Sequence, residues 1–201
     1  MPPTQRRPSD DDLLDAALEE FAKNGYANTS MGQIAEVAQS TKPTLYAHFG
    51  SKQDLFNRVI QRELMNVVRE LFPYYDSVLN SPLEDSVDIL INVGMNYIAQ
   101  RPQIGDILRI SLELSPDPIV SQLITVGGMF VDKISELIEA QESEFDGSSI
   151  TSDDLPAIAA MVTGSGAALG YHILTASDVD RENVSRIYSQ FLRGALRNLA
   201  K

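Results

Sequence analysis

Residues 29–52 read Thr29-Ser30-Met31-Gly32-Gln33-Ile34-Ala35-Glu36-Val37-Ala38-Gln39-Ser40-Thr41-Lys42-Pro43-Thr44-Leu45-Tyr46-Ala47-His48-Phe49-Gly50-Ser51-Lys52. Ser30 followed three residues later by Gln33 is a capping-box signature, and Met31, Ile34, Ala35 and Ala38 then repeat at helical spacing. The pattern predicts a short helix. After the polar break at Gln39-Ser40, Thr41 caps a second short helix, with Pro43 in the tolerated first turn and Leu45 and Phe49 on its buried face. Gly50 closes it.

Outward from this pair the punctuation stays helical. Upstream, Leu13, Leu14, Ala17, Leu18 and Phe21 share one face at a 3.6-residue period, Asp10, Asp11 and Asp12 suit the positive end of the helix dipole, and Gly25 is the expected stop. Downstream, Ser51 and Asp54 repeat the capping box, and apolar residues from Leu55 to Leu71 carry a fourth helix, expected to end at Pro73. No run of alternating apolar residues is long enough to nominate a sheet.

Two short helices around a tight polar turn, the second presenting Lys42, Thr44, Tyr46 and His48 away from Leu45 and Phe49, meet the requirement of a helix-turn-helix. A cation, hydroxyls and a phenol can bond phosphates and base edges. By spacing alone, the same four residues also read as an ordinary solvated face.

The chain has 201 residues with 16 Lys+Arg and 28 Asp+Glu, a formal net charge of -12, which as a whole-chain figure argues against nucleic acid. Its distribution says otherwise. Residues 1–62 hold seven bases against eight acids, and residues 63–201 hold nine against 20; between Lys23 and Arg62 five bases face only Glu36 and Asp54. The basic excess coincides with the helix pair. With 0 Cys, disulfides and thiol chemistry are excluded. The N-terminus is polar and acidic and does not read as a signal peptide, so a cytoplasmic location is expected.

The run from Thr29 to Ala35, Ala38, and then Thr41-Lys42-Pro43-Thr44-Leu45-Tyr46-Ala47-His48-Phe49-Gly50-Ser51-Lys52 closely resembles the DNA-binding domain of TetR-family transcriptional regulators. The resemblance covers residues 9 to about 60. It implies an all-α protein: an N-terminal three-helix helix-turn-helix domain (residues 9–55), joined by a long fourth helix to a C-terminal ligand-binding and dimerisation domain (56–201). About nine helices are expected. It further implies a homodimer on a pseudo-palindromic double-stranded DNA operator, a repressor released when a small-molecule effector binds. By matched position, Thr41, Tyr46 and Lys52 resemble phosphate contacts, Lys42, Pro43, Thr44 and His48 the groove-facing set, and Ser40 completes the DNA-binding group. Where the family usually has Gly and an aliphatic residue, this chain has Gln39 and Ser40. Either a non-Gly residue adopts a left-handed conformation, at about 1 kcal/mol, or the turn is reshaped. Gly32 brings no side chain to a position that contacts DNA in some members.

The remainder reads as five helices, near 83–100, 103–114, 118–144, 153–176 and 181–199, punctuated by Pro82, Pro102, Pro116, Pro118 and Pro156. Residues 155–177 contain no charged residue. That span is long enough for a bilayer, but Pro156, its glycines and its Ser/Thr content make it weakly hydrophobic, so no membrane role is expected. Gly164, Gly166, Ala167 and Gly170 instead suit close backbone packing against a partner helix, and Val184, Ile187, Tyr188, Phe191, Leu192, Ala195, Leu196 and Leu199 form an apolar stripe. Gly166, Gly170, Ile187, Phe191, Leu192 and Leu196 are the candidate dimer interface, as part of a four-helix bundle between two chains; the competing reading packs both helices within one subunit.

Met95, Met129, Phe130 and Met161, with Ser165 and His172 as polar groups, are candidate effector-pocket residues, although each also suits plain core. The acids Glu142, Glu144, Asp146, Asp153 and Asp154 lack calcium-loop spacing and read as a solvated loop. No metal site or cofactor is expected. With two His and 0 Cys there is no convergent acid, base and nucleophile set, so an enzyme is not expected; a helical small-molecule carrier or enzyme that keeps the N-terminal helices as scaffold is the alternative.

Overall fold

A computed structural model describes residues 7–114, 116–141, 151–176 and 178–199. Among these there are nine α-helices and no strand: α1 Asp10–Asn28, α2 Met31–Val37, α3 Lys42–Phe49, α4 Lys52–Ser77, α5 Leu83–Gln100, α6 Gln103–Leu114, α7 Pro116–Glu139, α8 Leu155–Thr175 and α9 Arg181–Leu199. The all-α expectation holds. The 118–144 span begins two residues earlier and reaches Glu139; Glu142, Glu144 and Asp146 lie outside the described residues. Asp154 caps a single 3-10 turn, Ser152–Asp154, ahead of α8 by accepting from the Thr151 N–H at 2.9 Å and its hydroxyl at 2.7 Å. These bonds to the ionised carboxylate hold its pKa below the ordinary value.

Two expected stops behave differently. At Gly25 the backbone turns to φ 76°, which glycine adopts without a Cβ penalty, and the chain then makes one more helical turn to Asn28. The buried Thr29 hydroxyl lies 3.0 Å from the Glu20 carbonyl and 2.8 Å from that of Gly25, serving acceptors beside the kink. Pro73 does not end α4, which continues to Ser77. Proline withholds one N–H from the ladder. Tertiary contacts offset that loss: Phe72 and Tyr75, on either side of it, pack on Phe130 of α7 with ring centroids 5.1 and 5.8 Å apart, and Val78 is buried.

Packing divides the chain into two compact units. One holds the chain up to Glu63 together with Gln103–Ser121; the other holds Leu64–Pro102 and the chain from Gln122 onward. The division falls inside α4, after the 55/56 boundary expected from sequence, because Leu55, Phe56, Val59 and Ile60 are buried along with the first three helices. In the first unit α1 packs on α2 and on α6, and α2 on α3. Its core is Leu13, Ala17, Phe21, Ile34, Leu45, Leu55, Phe56 and Val59, where each large side chain contributes about 1.5–3 kcal/mol by burial. Ile104, Ile107 and Ile110 give α6 its buried face.

The second unit closes on Val87, Ile134, Ile138, Leu155, Ile158, Ala159, Leu192 and Leu196, drawn from α5, α7, α8 and α9. Its polar ties are specific. Asp88 accepts from the Ser189 hydroxyl and from the Arg193 guanidinium. Lys133 is held between Asp76 and Glu136, which raises its pKa through the two hydrogen bonds. Helix α8 is long and apolar enough by composition to cross a membrane, with a mean hydropathy of 1.4 over its most apolar window.

Candidate nucleic-acid interface

The helix-turn-helix is built from local caps. Ser30 Oγ accepts from the Gln33 N–H at 3.3 Å, while Gln33 Oε1 accepts from the Ser30 N–H at 2.8 Å. The expected capping box of α2 is complete. Thr41 caps α3 by accepting from the Thr44 N–H at 3.3 Å, and the two threonine hydroxyls lie 2.8 Å apart. Ser51 caps α4, accepting from the Asp54 N–H at 3.0 Å and donating to the Asp54 carboxylate at 2.5 Å. Between α2 and α3 the turn is closed by the Ser40 N–H on the Ala35 carbonyl at 2.8 Å. This is the Schellman pattern, and its left-handed position falls on Gln39, at φ 49°. Of the two possibilities open for this turn, the left-handed residue is the one observed.

Leu45 is buried and seats α3 on the core, which leaves Lys42, Pro43, Tyr46 and His48 exposed and Ser40 and Thr44 half-buried. The Lys42 ammonium lies 5.9 Å from the centroid of the Tyr46 ring. A cation and a phenol are thereby presented side by side, a suitable pair for a phosphate oxygen.

Two residues of the expected set have intramolecular partners distant in sequence. Lys52 Nζ donates to the Tyr26 carbonyl at 2.8 Å and to the Thr29 carbonyl at 2.9 Å, and lies 4.2 Å from the Tyr26 ring centroid. Tyr26 stacks on Phe21 and meets Phe56 edge-on, so this lysine is anchored to the aromatic core. Partial burial, with the nearby Asp54 charge, raises the pKa of the Tyr26 phenol. His48 Nδ1 lies 2.7 Å from Asp10 Oδ1, tying the end of α3 to the start of α1. Arg62 is similarly engaged: it meets Asp15 at 2.8 Å and Glu63 at 2.9 Å and donates to the Asp11 carbonyl at 3.2 Å. Of the five bases between residues 23 and 62, Lys52 and Arg62 are thus held within the fold, while Lys23, Lys42 and Arg58 are exposed. The positive face is smaller than the residue count suggests.

The candidate pocket residues do not form one group. Phe130 sits in an aromatic cluster with Phe72 and Tyr75, and Met95 and Met129 are half-buried. Ser165 shares a hydrogen bond of 2.8 Å with the Tyr188 hydroxyl, which also donates to the Val162 carbonyl. Met161 and His172 are on the surface. Phe72 and Tyr75 were missed because Pro73 was read as a helix end. Burial pushes the Tyr75 phenol up to about 12, with the neighbouring Tyr188 adding to the shift.

The candidate interface residues also divide. Leu192 and Leu196 belong to the subunit's own core, so their apolar surface is already covered. A Cβ at Gly166 would stand 3.2 Å from the Tyr188 hydroxyl, and one at Gly170 would stand 3.4 Å from Ile98 Cδ1; both glycines allow close approach within the subunit. Ile187 and Phe191, by contrast, are 51% and 60% exposed, as is Met161 at 64%.

Residues 13–59 match the family described as bacterial regulatory proteins, tetR family. The HTH-type transcriptional regulator AcrR of Shigella flexneri is 35% identical over 81 residues, 40% of this chain and 38% of that protein, so the match spans well under half of the relative's length. A TetR-like transcriptional regulator from Rhodococcus sp. RHA1 superposes with a TM-score of 0.65 at 21% identity, covering 95% of this chain and 98% of that one. The transcriptional regulator FadR of Bacillus subtilis, solved with stearoyl-CoA, gives 0.69 at 15% identity over 92% and 97%. The two structures share the fold over nearly the whole chain, and the sequence match lies in the helix-turn-helix. Residues 13–59 therefore form an N-terminal domain of the kind that family carries, within an all-helical fold shared with the solved regulators.

Proposed function

We propose that the protein is a homodimeric, DNA-binding transcriptional repressor whose hold on a pseudo-palindromic operator is released by a small molecule. The observation that carries the reading is the capped α2-turn-α3 unit presenting Lys42 and Tyr46, in the segment matched by the family. Two such helices in one dimer would enter successive major grooves about 34–36 Å apart. Ser40, Thr41, Lys42, Pro43, Thr44, Tyr46, His48 and Lys52 are its proposed DNA-binding group, with Lys42 and Tyr46 the direct contacts and Lys52 and His48 holding the head in shape. The acidity of residues 63–201 would keep DNA off the rest of the molecule.

Homodimerisation through α8 and α9 is supported by Met161, Tyr171, Ile187 and Phe191, large apolar side chains on these two helices that the subunit itself leaves exposed. The same display accounts for the apolar character of α8 with no membrane, and fits a cytoplasmic protein. The second unit would receive an apolar effector beside Phe72, Tyr75 and Phe130, and would act on the head through α4, the helix that belongs to both units.

Binding of the purified protein to DNA fragments flanking its gene, measured by anisotropy across a salt series, tests the proposal. A sequence preference with a steep negative slope of log K against log salt is expected. Absence of binding at low salt would instead favour a carrier or enzyme with a scaffold head.

A further inference from the structure

Several polar side chains around the turn already have a partner. The Thr41 and Thr44 hydroxyls face each other, Ser30 is paired with Gln33, His48 with Asp10, and Lys52 with two carbonyls. Gln39 is different. It is exposed in the turn directly ahead of Ser40 and Thr41, and no hydrogen bond of its side chain is present among the described residues. Its φ of 49° is a conformation that glycine occupies freely and a glutamine does not. Such strain is characteristically retained where the side chain has work to do. The strained position is three residues before Lys42, no more than about 11 Å along the chain from the groove-facing end of α3. A primary amide there offers a donor and an acceptor in one plane, the pattern complementary to the N6 and N7 edge of adenine. Gly32 supplies no side chain, so the head otherwise has few groups able to read a base.

We propose that Gln39 is a base-reading residue of the DNA interface, its amide bonded to an adenine edge at the mouth of the major groove. The assignment rests on the DNA-binding reading and adds a specificity determinant to it.

The probe is the duplex that the full-length wild-type protein enriches from a random pool. Gln39→Gly relieves the left-handed strain and removes the amide, so it should raise Tm by about 2–4 °C while weakening binding to that duplex roughly 5- to 150-fold. Gln39→Ala should weaken binding similarly without the gain in Tm. A second selection with Gln39→Gly should lose preference at one A·T pair in each half-site and keep the others. Equal affinity and an unchanged preference would overturn the assignment. Uniform weakening with no change of preference would also overturn it, by placing the amide on phosphate. If the wild type enriches no duplex at all, the DNA-binding reading fails together with this one.

Discussion

The Lys52 ammonium donates to the backbone carbonyl of Tyr26 at 2.8 Å while lying 4.2 Å from the centroid of the same residue's ring. With the bond to Thr29 at 2.9 Å, it joins the start of α4 to the end of α1. A lysine that resembles a phosphate contact by position is thus also bonded within the fold. Replacing it with Met, which keeps much of the stem, should cost about 2 kcal/mol, or roughly 4–8 °C in Tm. The salt slope of DNA binding should change by less than one unit. Thermal melts and salt-dependent anisotropy on one variant distinguish the roles: unchanged Tm with a slope reduced by about one would return Lys52 to the phosphate set.

Lys42 and Tyr46 should give the opposite result. Both are exposed, and their mutual contact of 5.9 Å is long, so Lys42→Ala and Tyr46→Phe should each alter stability by no more than about 0.5 kcal/mol. Lys42→Ala should lower the salt slope by about one. Tyr46→Phe should weaken operator binding about fivefold through loss of one hydrogen bond. Normal affinity in both variants would count heavily against α3 as the reading helix.

On α9, alternate positions of the apolar stripe should respond differently. Glutamate at Ile187 or Phe191, both more than half exposed, should yield a monomer in sedimentation experiments with little change in unfolding of the subunit itself. Leu192→Ala, in the core, should cost about 2–5 kcal/mol in denaturant titrations. A dimer that persists in both glutamate variants would move the interface elsewhere.

Tyr75 supplies an alkaline signature. Its phenol titrates near 10 when unfolded and at about 12 in the fold, so the neutral form is favoured by folding. The unfolded chain loses this proton first as pH rises; stability is therefore fully present below pH 10 and declines between 10 and 12, by on the order of 2 kcal/mol. Tyr75→Phe should flatten that part of the stability profile, as followed by urea unfolding at each pH. An unchanged decline would assign it to other groups.

The features legible in the sequence are those with causes a few residues apart. The Ser30–Gln33 box and the Thr41 cap connect residues three apart and are found as expected, whereas the Ser51–Asp54 box forms only by half: Ser51 caps the Asp54 N–H, but its own N–H bonds the Phe49 carbonyl. The left-handed turn at Gln39 was foreseeable as one of two outcomes, because the Schellman closure is also local. For the same reason the exposure of Lys42 and Tyr46 follows from the burial of Leu45. The Pro73 stop failed where a local rule met a distant contact: Phe72 and Tyr75 find Phe130, a partner 55 or more residues away.

By itself the sequence determined the helical class, the position of the helix-turn-helix and the contrast between the basic stretch from Lys23 to Arg62 and an acidic remainder, since propensity, capping and charge are written residue by residue. Only the tertiary structure decided which of those charges are available. Lys52 reaches carbonyls 26 and 23 residues away, His48 an acid 38 away, and Arg62 a carbonyl 51 away. It likewise sorted the α9 stripe, burying Leu192 and Leu196 and leaving Ile187 and Phe191 uncovered. The physical reason is common to both cases. A 3.6-residue period states that a face is apolar, and a charge count states that a base is present, but the partner of each is set by the packing of other helices.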